Sequence, residues 1–534
     1  MRDMKKSIFK EILKQKTKIL FILLMSVVAN IAGIFQARIS GSFIDYISNS
    51  KEIVELSFYI KWFLVLGIFS LLTNQFVGFF KSIVEADIVF KLNLELIKII
   101  KKFPLDFFIE NDAVYIGQRV NADINTVVGF IINLIVTLPI SIIYSIVFIT
   151  LIYLKSKFLG LFVFIILPIY IIVYIVYDKK LRMVVYELKE RQASLFSGIT
   201  NLLSHIKIQK LEARYETGTQ STRLKYSNFR KFYIKNGILS ALFNFTVGTV
   251  DVVFLALIFI IEGIRALKGS LLIGDIIVIQ MYYTMLLSEI ASITSIILSL
   301  PECKVSKLRI DELFCQKKEI NGNTFIESIQ EIKLDNVTAD FLHSDPISHK
   351  FQIGKTYLIK GKNGAGKSTL LNMMLGVGLE HIIGNIIING VNIIDVDVEK
   401  LKKNNIVICN QEAKILSGSI REELNLSIGA VSVLSEQFIK VGHLDDIIKT
   451  DKSINTLSTG ERQKLLILRA INSNHEVLIF DEPTSALDEN TVNAFISALN
   501  TLKKNKMIII ISHDKRLDQL DAQIITITGG QNNE

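Results

Sequence analysis

Cysteine, proline and tryptophan are scarce in this 534-residue chain, which contains three, six and one of them, respectively. The cysteines, Cys303, Cys315 and Cys409, cannot all pair with one another and do not have the spacing of a metal site. Their scarcity excludes a disulfide-stapled scaffold and is typical of free thiols in a reducing cytosol. The composition, half of it hydrophobic, also excludes a disordered or collagen-like chain.

Charge is scarce as well, because only 21% of the residues are charged, against about 25% in globular proteins. Long apolar stretches crowd the first 300 residues, whereas the last 200 have the composition of an ordinary α/β domain. This uneven distribution excludes a wholly soluble protein. At about 100–200 residues per domain, we expect two or more domains.

Six stretches are long and apolar enough to cross a bilayer, which takes about 20 residues each. They lie at 17–36, 57–80, 126–152, 158–177, 236–264 and 272–300. We expect Pro301 to end the last of them. We also expect the first span to be retained rather than cleaved as a signal peptide, and no peptidase domain to precede it. An even number of spans places both termini on the same side of the membrane.

The net charge of +9 raises the question of a nucleic-acid partner, because clustered Lys and Arg side chains neutralise phosphates. The basic residues instead flank the apolar spans. Residues 1–18 contain seven Lys and Arg against two acids, and residues 178–235 contain thirteen against five. Such an excess marks cytoplasmic loops. The charge therefore predicts a multi-pass protein of the cell membrane, in contact with lipid, with both termini cytoplasmic and no nucleic-acid partner.

The two cytoplasmic connections, 81–125 and 178–235, are much longer than a turn requires and contain few helix breakers. We expect the membrane helices to continue through them as long amphipathic rods. From residue 332 onward, short apolar runs of strand length alternate with helical segments. The sequence therefore predicts a membrane domain at 1–305, a linker at 306–330, and an α/β domain with a largely parallel sheet at 331–534.

A strand-like run that ends at Lys360 is followed by the pattern G-x-x-x-x-G-K-[ST], which binds phosphate. Glycines let backbone N–H groups turn toward a phosphate, and the next helix points its positive N-terminus at the anion. Lys367 would reach the β- and γ-phosphates, and the Ser368 hydroxyl would ligate Mg²⁺. The predicted nucleotide-binding residues of this loop are Gly361, Lys362, Asn363, Gly364, Ala365, Gly366, Lys367, Ser368 and Thr369.

A second apolar strand, at 477–480, ends in the adjacent carboxylates Asp481 and Glu482. Asp481 would hold Mg²⁺ directly or through its water shell, and Glu482 would orient or deprotonate the attacking water. Two acids at a strand end are often merely solvated, but beside a phosphate-binding loop they indicate nucleotide hydrolysis. Between the two motifs, Ser458 and Gly460 open a helix. This opening is either an ordinary helix cap or an anion site for a nucleotide bound by another copy.

In their order and spacing, these motifs resemble the nucleotide-binding domain of ABC transporters. The segment 457–461 resembles the signature motif, and the resemblance implies that Ser458 and Gly460 contact phosphate. It reads LSTGE where the family usually has LSGGQ, so reduced or asymmetric ATPase activity is an open expectation. The resemblance implies further roles: Gln411 contacts Mg²⁺ in the Q-loop, Asp488 belongs to the D-loop, His513 is the switch histidine, and Phe341 stacks on adenine.

The membrane half is similar to that of ABC exporters, notably at 103–108, at Pro168 and at 206–212. The resemblance implies a polytopic α-helical membrane domain of the type I exporter kind, followed by an α/β P-loop ATPase domain. Such a half-transporter works as a homodimer or a heterodimer with ATP and Mg²⁺, and Ser458 of one chain serves the nucleotide of the other. The implied function is ATP-driven export of a peptide, a lipid or an amphipathic small molecule. The alternatives are an importer or a non-transporting regulatory ATPase.

Two acidic residues lie within the predicted spans, Asp251 in the fifth and Glu289 in the sixth. An ionisable group inside a membrane costs about 2.5–3.5 kcal/mol on insertion scales, so it should face the bundle interior or water. The sequence leaves two interpretations open. The acids line a substrate cavity that contacts a cation or a peptide, or they are buried and hydrogen-bonded to a neighbouring helix.

Overall fold

The protein is described by a computed structural model that covers residues 2–49, 56–111, 113–216, 218–340, 345–362, 364–410, 415, 419–420, 424, 433–450 and 454–527. The chain divides into two compact units. The first comprises Met1–Lys102 and Phe108–Gln316, and the second comprises Phe103–Phe107 and Lys317–Glu534. A short segment from early in the chain thus belongs to the same unit as the C-terminal part.

The N-terminal part of the chain is helical. Its helices are α1 (Arg2–Lys14), α2 (Lys16–Asn49), α3 (Leu56–Ile100), α4 (Leu105–Glu110), α5 (Ala113–Ile132), α6 (Leu138–Lys155), α7 (Lys157–Ser204), α8 (Ile206–Leu211), α9 (Thr219–Leu267) and α10 (Ile273–Phe314). A π-helical turn at Asn133–Thr137 joins α5 to α6. Helices α5 and α6 therefore form one continuous span.

Six helical segments of the described chain are long and apolar enough to cross a membrane. They are Lys16–Ser48, Leu56–Ile100, Arg119–Lys155, Lys157–Tyr177, Thr219–Leu267 and Ile273–Phe314. Each coincides with one of the six stretches predicted from the sequence, so that prediction is confirmed. Large apolar side chains such as Leu71, Ile146 and Phe245 remain exposed along them. Lipid is the environment in which such exposure carries no penalty.

The helices also run far beyond their apolar segments, as predicted. Helix α3 ends only at Ile100, α7 ends at Ser204, and α9 begins at Thr219. The prediction that Pro301 ends the last span is wrong, because α10 continues through it to Phe314. A proline removes one backbone donor and strains the preceding turn. Here the turns that follow are held by packing, since Cys303 and Ile310 are buried.

The proposed limits of the membrane domain and the linker stay a prediction. Helix α10 runs across residue 305, so the first residues of the predicted linker are helical.

Small residues set the spacing where α2 and α10 meet. The Gly274 N–H donates to Asp45 Oδ1 at 2.6 Å. A Cβ atom on Gly274 would lie only 2.1 Å from the backbone oxygen of Gly41. The two backbones therefore touch at this point, as small residues permit in membrane helix bundles.

In its described residues, the second unit contains two sheets. An antiparallel sheet of order β2-β1-β4-β5 is formed by β1 (Glu331–Ala339), β2 (Ile347–Gln352), β4 (Ile382–Ile388) and β5 (Val391–Asn392). A parallel sheet of order β6-β7-β8-β3-β9 is formed by β3 (Thr356–Gly361), β6 (Ile406–Cys409), β7 (Val477–Asp481), β8 (Met507–Ile511) and β9 (Gln523–Ile527). The predicted parallel sheet is confirmed, whereas the antiparallel sheet was not foreseen.

The helices of this unit are α11 (Lys367–Met374), α12 (Val398–Asn405), α13 (Val433–Val441), α14 (Asp445–Thr450), α15 (Thr459–Ile471) and α16 (Glu489–Leu502). Shorter 3₁₀ turns lie at Leu379–His381, Ile393–Asp395, Ile454–Thr456 and Lys515–Gln519. Strands β7, β8 and β3 are neighbours and parallel, so their carboxyl ends open onto the same edge. Ligands of open α/β sheets bind at this edge.

Candidate nucleotide-binding site

The loop between β3 and α11 has the backbone conformation of a phosphate cradle. Gly364 and Gly366 have φ angles of +81° and +87°, which strain any residue with a Cβ. Gly366 is the N-cap of α11, so the unpaired N–H groups of the first helical turn face the loop. The predicted loop residues lie in this turn, except Asn363, which is outside the described residues, as are Phe341 and Gln411.

The Lys367 ammonium lies at the centre of the loop. Its Nζ donates to the carbonyl oxygens of Gly361 at 2.8 Å and Lys362 at 3.1 Å. It also lies 2.9 Å from Nε2 of His513, an exposed side chain that follows β8. Two of the predicted site residues, from opposite ends of the domain sequence, are thereby brought together. A bound phosphate would compete for the same ammonium donor.

Ser368 and Asp481 form an oxygen-donor pair next to this lysine. The Ser368 hydroxyl donates to Asp481 Oδ2 at 3.4 Å. Burial, and then the neighbouring charge of Glu482, raise the pKa of Asp481 above its ordinary value. A hydroxyl and a carboxylate are the kinds of ligand that Mg²⁺ takes beside a nucleotide. These two residues therefore fit the predicted metal role.

Glu482 is held in a strained conformation directly after β7. Its φ of +48° lies in the left-handed region, which is rare for a residue with a side chain. Its N–H donates to the Ile511 carbonyl at 2.8 Å, and the Ser512 hydroxyl donates to its Oε2 at 3.3 Å. Such strain persists where the surroundings fix it and is concentrated at functional sites.

The segment around Ser458 forms a helix cap. Ser458 Oγ accepts from the Glu461 N–H at 3.2 Å, and the Ser458 N–H donates to Glu461 Oε2 at 2.7 Å. This reciprocal pair is a capping box at the start of α15. Gly460 lies close to another loop, since a Cβ there would be 3.0 Å from the Ala486 carbonyl oxygen. The Ser458–Glu461 cap therefore stabilises the start of α15.

Gln463 is a site residue that the sequence reasoning missed. Its side chain is 1% exposed. The amide donates through Nε2 to the Glu482 carbonyl at 2.8 Å and accepts through Oε1 from the Ala486 N–H at 3.2 Å. It therefore ties the signature helix α15 to the loop that follows β7. A buried amide on the apolar face of a helix was the available signal.

Asp488 is held by a helix cap and one ion pair. Asp488 caps α16 by accepting from the Thr491 N–H at 2.9 Å, and Lys464 Nζ lies 3.1 Å from its Oδ2. These contacts, the Thr491 N–H first, hold the pKa of Asp488 well below its usual range. Arg516, also missed from the sequence, donates to the Leu487 carbonyl at 3.2 Å.

In the first unit, the two predicted membrane acids differ from each other. The Tyr170 hydroxyl of α7 donates to Asp251 of α9, which is the interhelical bond that the second interpretation requires. Glu289 is half-buried on α10. A third acid, Glu262, was missed: it is 0% exposed, and Arg265 donates to its Oε2 at 2.8 Å. An internal partner lowers the penalty for an acid near a membrane.

Two parts of the chain match models of one family. Residues 19–290 match "ABC transporter transmembrane region", and residues 344–485 match "ABC transporter". The "Beta-(1-->2)glucan export ATP-binding/permease protein" of Bartonella quintana is 27% identical over 375 residues, which are 64% of this chain and 62% of that protein. The chain therefore spans about three-fifths of the length of the glucan-export relatives it matches.

Two further likenesses extend over more of the chain. The "ATP-dependent lipid A-core flippase" of Photobacterium profundum is 23% identical over 470 residues, which are 84% of this chain and 80% of that one. The solved structure of a bacterial Atm1-family ABC exporter with ATP bound covers 97% of this chain with a TM-score of 0.81. The match includes 95% of the exporter chain at 16% sequence identity, so it shows the fold alone. The resemblance stated from the sequence is confirmed: this chain belongs to the ABC transporter family.

Proposed function

We propose that the protein is an ATP-hydrolysing half-transporter that exports its substrate across the cell membrane by alternating access. One observation carries the proposal. The loop after β3, the carboxylates after β7 and His513 after β8 meet at one edge of the parallel sheet, with Lys367 Nζ 2.9 Å from His513 Nε2. Groups from three strands converge in this way at the nucleotide sites of α/β folds.

In this proposal, the chain's own residues have the following roles, which their geometry supports. The loop N–H groups and Lys367 bind the phosphates. Ser368 and Asp481 would hold Mg²⁺, which would supply positive charge to neutralise the phosphates when bound. Glu482, fixed by Ser512 and the backbone of β8, orients the attacking water and accepts its proton. His513 replaces part of its contact with Lys367 by a contact to the transferred phosphoryl group.

A second copy or a different half-transporter completes the site in this proposal. Ser458 is exposed at the N-terminus of α15, and its hydroxyl proton is still available because the capping box uses the oxygen as an acceptor. Closure of two such domains around ATP would bring Ser458 of one chain to the nucleotide of the other. Hydrolysis would then reopen the pair and reset the membrane helices.

The substrate class stays as broad as the sequence left it: a peptide, a lipid or an amphipathic small molecule. The relatives named for glucan export and for flipping lipid A-core support an exporter rather than an importer or a regulatory ATPase. We place the protein in the cell membrane with both termini cytoplasmic. Inside-out vesicles would then show ATP-dependent uptake of the exported compound, whereas an importer would show none.

Glu482→Gln tests the catalytic assignment. The amide keeps the size of the side chain but cannot accept a proton, so we expect ATP hydrolysis to fall by at least about 100-fold. ATP binding should be retained. Glu489→Gln, an exposed glutamate in the first turn of α16, is the matched control. Hydrolysis that survives in Glu482→Gln would contradict the mechanism, and failure to bind ATP would contradict the site itself.

A further inference from the structure

Four ionisable side chains meet in the second unit without belonging to the nucleotide-binding motifs. Asp106 lies in the segment Phe103–Phe107, Asp340 follows β1, and Glu380 and His381 lie in the turn Leu379–His381. One ligand atom from each of Asp106, Glu380 and His381 lies within 4.8 Å of the others. None of the mechanistic roles assigned above uses these residues.

The orientation of His381 separates this cluster from a chance group of surface acids. Its Nδ1 lies 3.1 Å from both carboxylate oxygens of Asp340, and its Nε2 lies 2.6 Å from Asp106 Oδ2. A histidine that ligates a metal almost always bonds a carboxylate or carbonyl through its other ring nitrogen, which fixes the tautomer and the ring orientation. Asp340 makes this contact and leaves Nε2 directed at Asp106, with a carboxylate oxygen of Glu380 in the same group of atoms.

We propose that Asp106, Glu380 and His381 bind one divalent transition-metal ion of the zinc class, with Asp340 as the orienting partner of the histidine. Zinc takes histidine nitrogen and carboxylate oxygen at about 2.0–2.2 Å, often from three protein ligands and one water. Such ligand atoms are about 3.3 Å apart in a tetrahedron. Asp106 would move slightly away from Nε2, and the exposure of the Asp106 and Glu380 side chains leaves room for such a shift.

The nitrogen ligand decides between metals. Mg²⁺ and Ca²⁺ prefer sites made entirely of oxygen, whereas imidazole suits zinc and its neighbours.

Metal binding would fix a particular part of the chain. The segment Phe103–Phe107 lies between α3, which ends at Ile100, and the remainder of α4, which runs to Glu110. Both flanking stretches belong to the first unit. An ion held by Asp106 and the turn Leu379–His381 would anchor this segment within the second unit. The proposed role is therefore regulatory, separate from ATP hydrolysis.

The test uses the purified full-length protein in detergent, stripped of metal with EDTA. Zn²⁺ is titrated against a chromophoric chelator, and Co²⁺ is used as a spectroscopic probe of tetrahedral coordination. We expect one Zn²⁺ per chain in the wild type. His381→Gln and Asp106→Asn should each weaken binding at least tenfold, and Asp340→Asn should weaken it by about 10–100-fold through the loss of ring orientation.

His443→Asn is the matched control, because His443 is an exposed histidine with φ of +53°, which asparagine tolerates. Its zinc binding should equal that of the wild type. Thermal melting in EDTA and ATP binding are measured on every variant, so a misfolded protein is recognised. If Asp106→Asn does not fold, Glu380→Gln takes its place. Zinc binding unchanged in a folded ligand variant would overturn the proposal.

A second outcome would also overturn it. Wild-type protein that binds no zinc between pH 6 and 8 would leave His381 as a bridge between two aspartates instead of a metal ligand. Neither outcome touches the ATP site, because ATP binding and hydrolysis are followed separately.

Discussion

Glu461 places a negative charge at the N-terminus of a 13-residue helix, next to the serine proposed to serve the second chain's nucleotide. The positive end of the helix stabilises this carboxylate, but the carboxylate in turn weakens the attraction of the helix for any other anion. ABC transporters usually have glutamine at this position, and a glutamine is neutral and can form the same capping box. Glu461 is therefore expected to reduce ATP affinity in the closed dimer.

Glu461→Gln should raise the apparent affinity for ATP by about fivefold, which corresponds to roughly 1 kcal/mol of removed repulsion. Its melting temperature should barely change, because the cap persists. Glu461→Ala should instead destabilise the domain by about 0.5–2 kcal/mol through loss of the capping interaction. Steady-state ATPase kinetics and thermal melting distinguish the two effects. Unchanged or weaker ATP affinity in Glu461→Gln would disprove the electrostatic role.

The raised pKa of Asp481 has a consequence for the pH profile. An acid whose pKa is raised keeps its proton to a higher pH, and a protonated Asp481 cannot bind Mg²⁺. We expect kcat/KM to decline on acidification above the range of an ordinary aspartate. A tenfold increase in Mg²⁺ should move this decline to lower pH, because metal and proton compete. Profiles at two Mg²⁺ concentrations measure it, and a decline independent of Mg²⁺ would exclude Asp481 as its cause.

At the scale of single residues, the sequence predicted those side chains that are proposed to contact the nucleotide directly. Lys367, Ser368 and Asp481 follow from what phosphate and Mg²⁺ require, and the structure places them within reach of one another. Gln463 and Arg516 were not predicted, because they bond backbone groups of Glu482 and Leu487. Every residue offers such groups, so only the folded chain shows which ones are used.

At the scale of the elements, one arginine joins three helices of the first unit. Arg309 of α10 lies 3.2 Å from Asp123 of α5, whose side chain is buried, and 3.4 Å from Glu190 of α7. Removing one partner of a buried ion pair leaves an uncompensated charge, which is strongly destabilising. The arginine therefore fixes the register of these helices.

Arg309→Leu should lower stability by about 3 kcal/mol, because Asp123 loses its closest cation. Adding Asp123→Asn should recover most of that loss. Arg191→Leu is the control, since Arg191 makes an exposed pair with Glu187 at 3.1 Å worth less than about 1 kcal/mol. Thermal melting of the detergent-solubilised proteins measures all three. Equal losses in Arg309→Leu and Arg191→Leu would show that burial does not matter here.

Gly274→Ala tests the close approach of α2 and α10. A methyl group there would overlap the Gly41 carbonyl, so we expect a loss of about 1–3 kcal/mol. Gly248→Ala in α9 meets nothing within 4 Å and should be neutral or stabilising by up to about 1 kcal/mol. Melting temperatures of the two variants provide the comparison. A neutral Gly274→Ala would mean that the helices separate at this point.

The elements themselves were predictable where one physical signal dominates. Hydropathy identified six spans, and continuous apolar runs identified β3, β7 and β8, which are buried on both faces. The apolar run at 386–388 also indicated a strand, and it lies in β4 of the antiparallel sheet. Strand β1 alternates buried and less buried positions, and β2 has a single buried residue, so neither of these strands gave such a run. The prediction that Pro301 ends a helix was wrong because the packing of α10 overrides the local effect of the proline.

At the scale of the whole molecule, the proposed dimer predicts complementation between two inactive chains. Lys367→Ala removes the phosphate-binding lysine but keeps the signature segment, and Ser458→Arg does the reverse. Each variant alone has two defective sites. In every mixed dimer, one of the two sites combines the intact loop of one chain with the intact signature of the other, so ATP-dependent closure should return.

Co-purification through two different affinity tags isolates the mixed dimer, and native mass spectrometry gives its composition. Closure in the mixture but not in either variant alone would support sites shared between chains. Closure in Ser458→Arg alone would contradict them. A native mass that reveals a different partner subunit would replace the homodimer by a heterodimer and leave the shared-site geometry intact.

The segment Phe103–Phe107 has a consequence for how the protein is made. Phe103 is 2% exposed, yet Phe108–Gln316 separates this segment from the rest of its unit. During synthesis the segment emerges long before Lys317, so its contacts with the rest of the second unit form only after the C-terminal part has been translated. A chain that stops early therefore lacks the larger part of the unit to which this segment belongs.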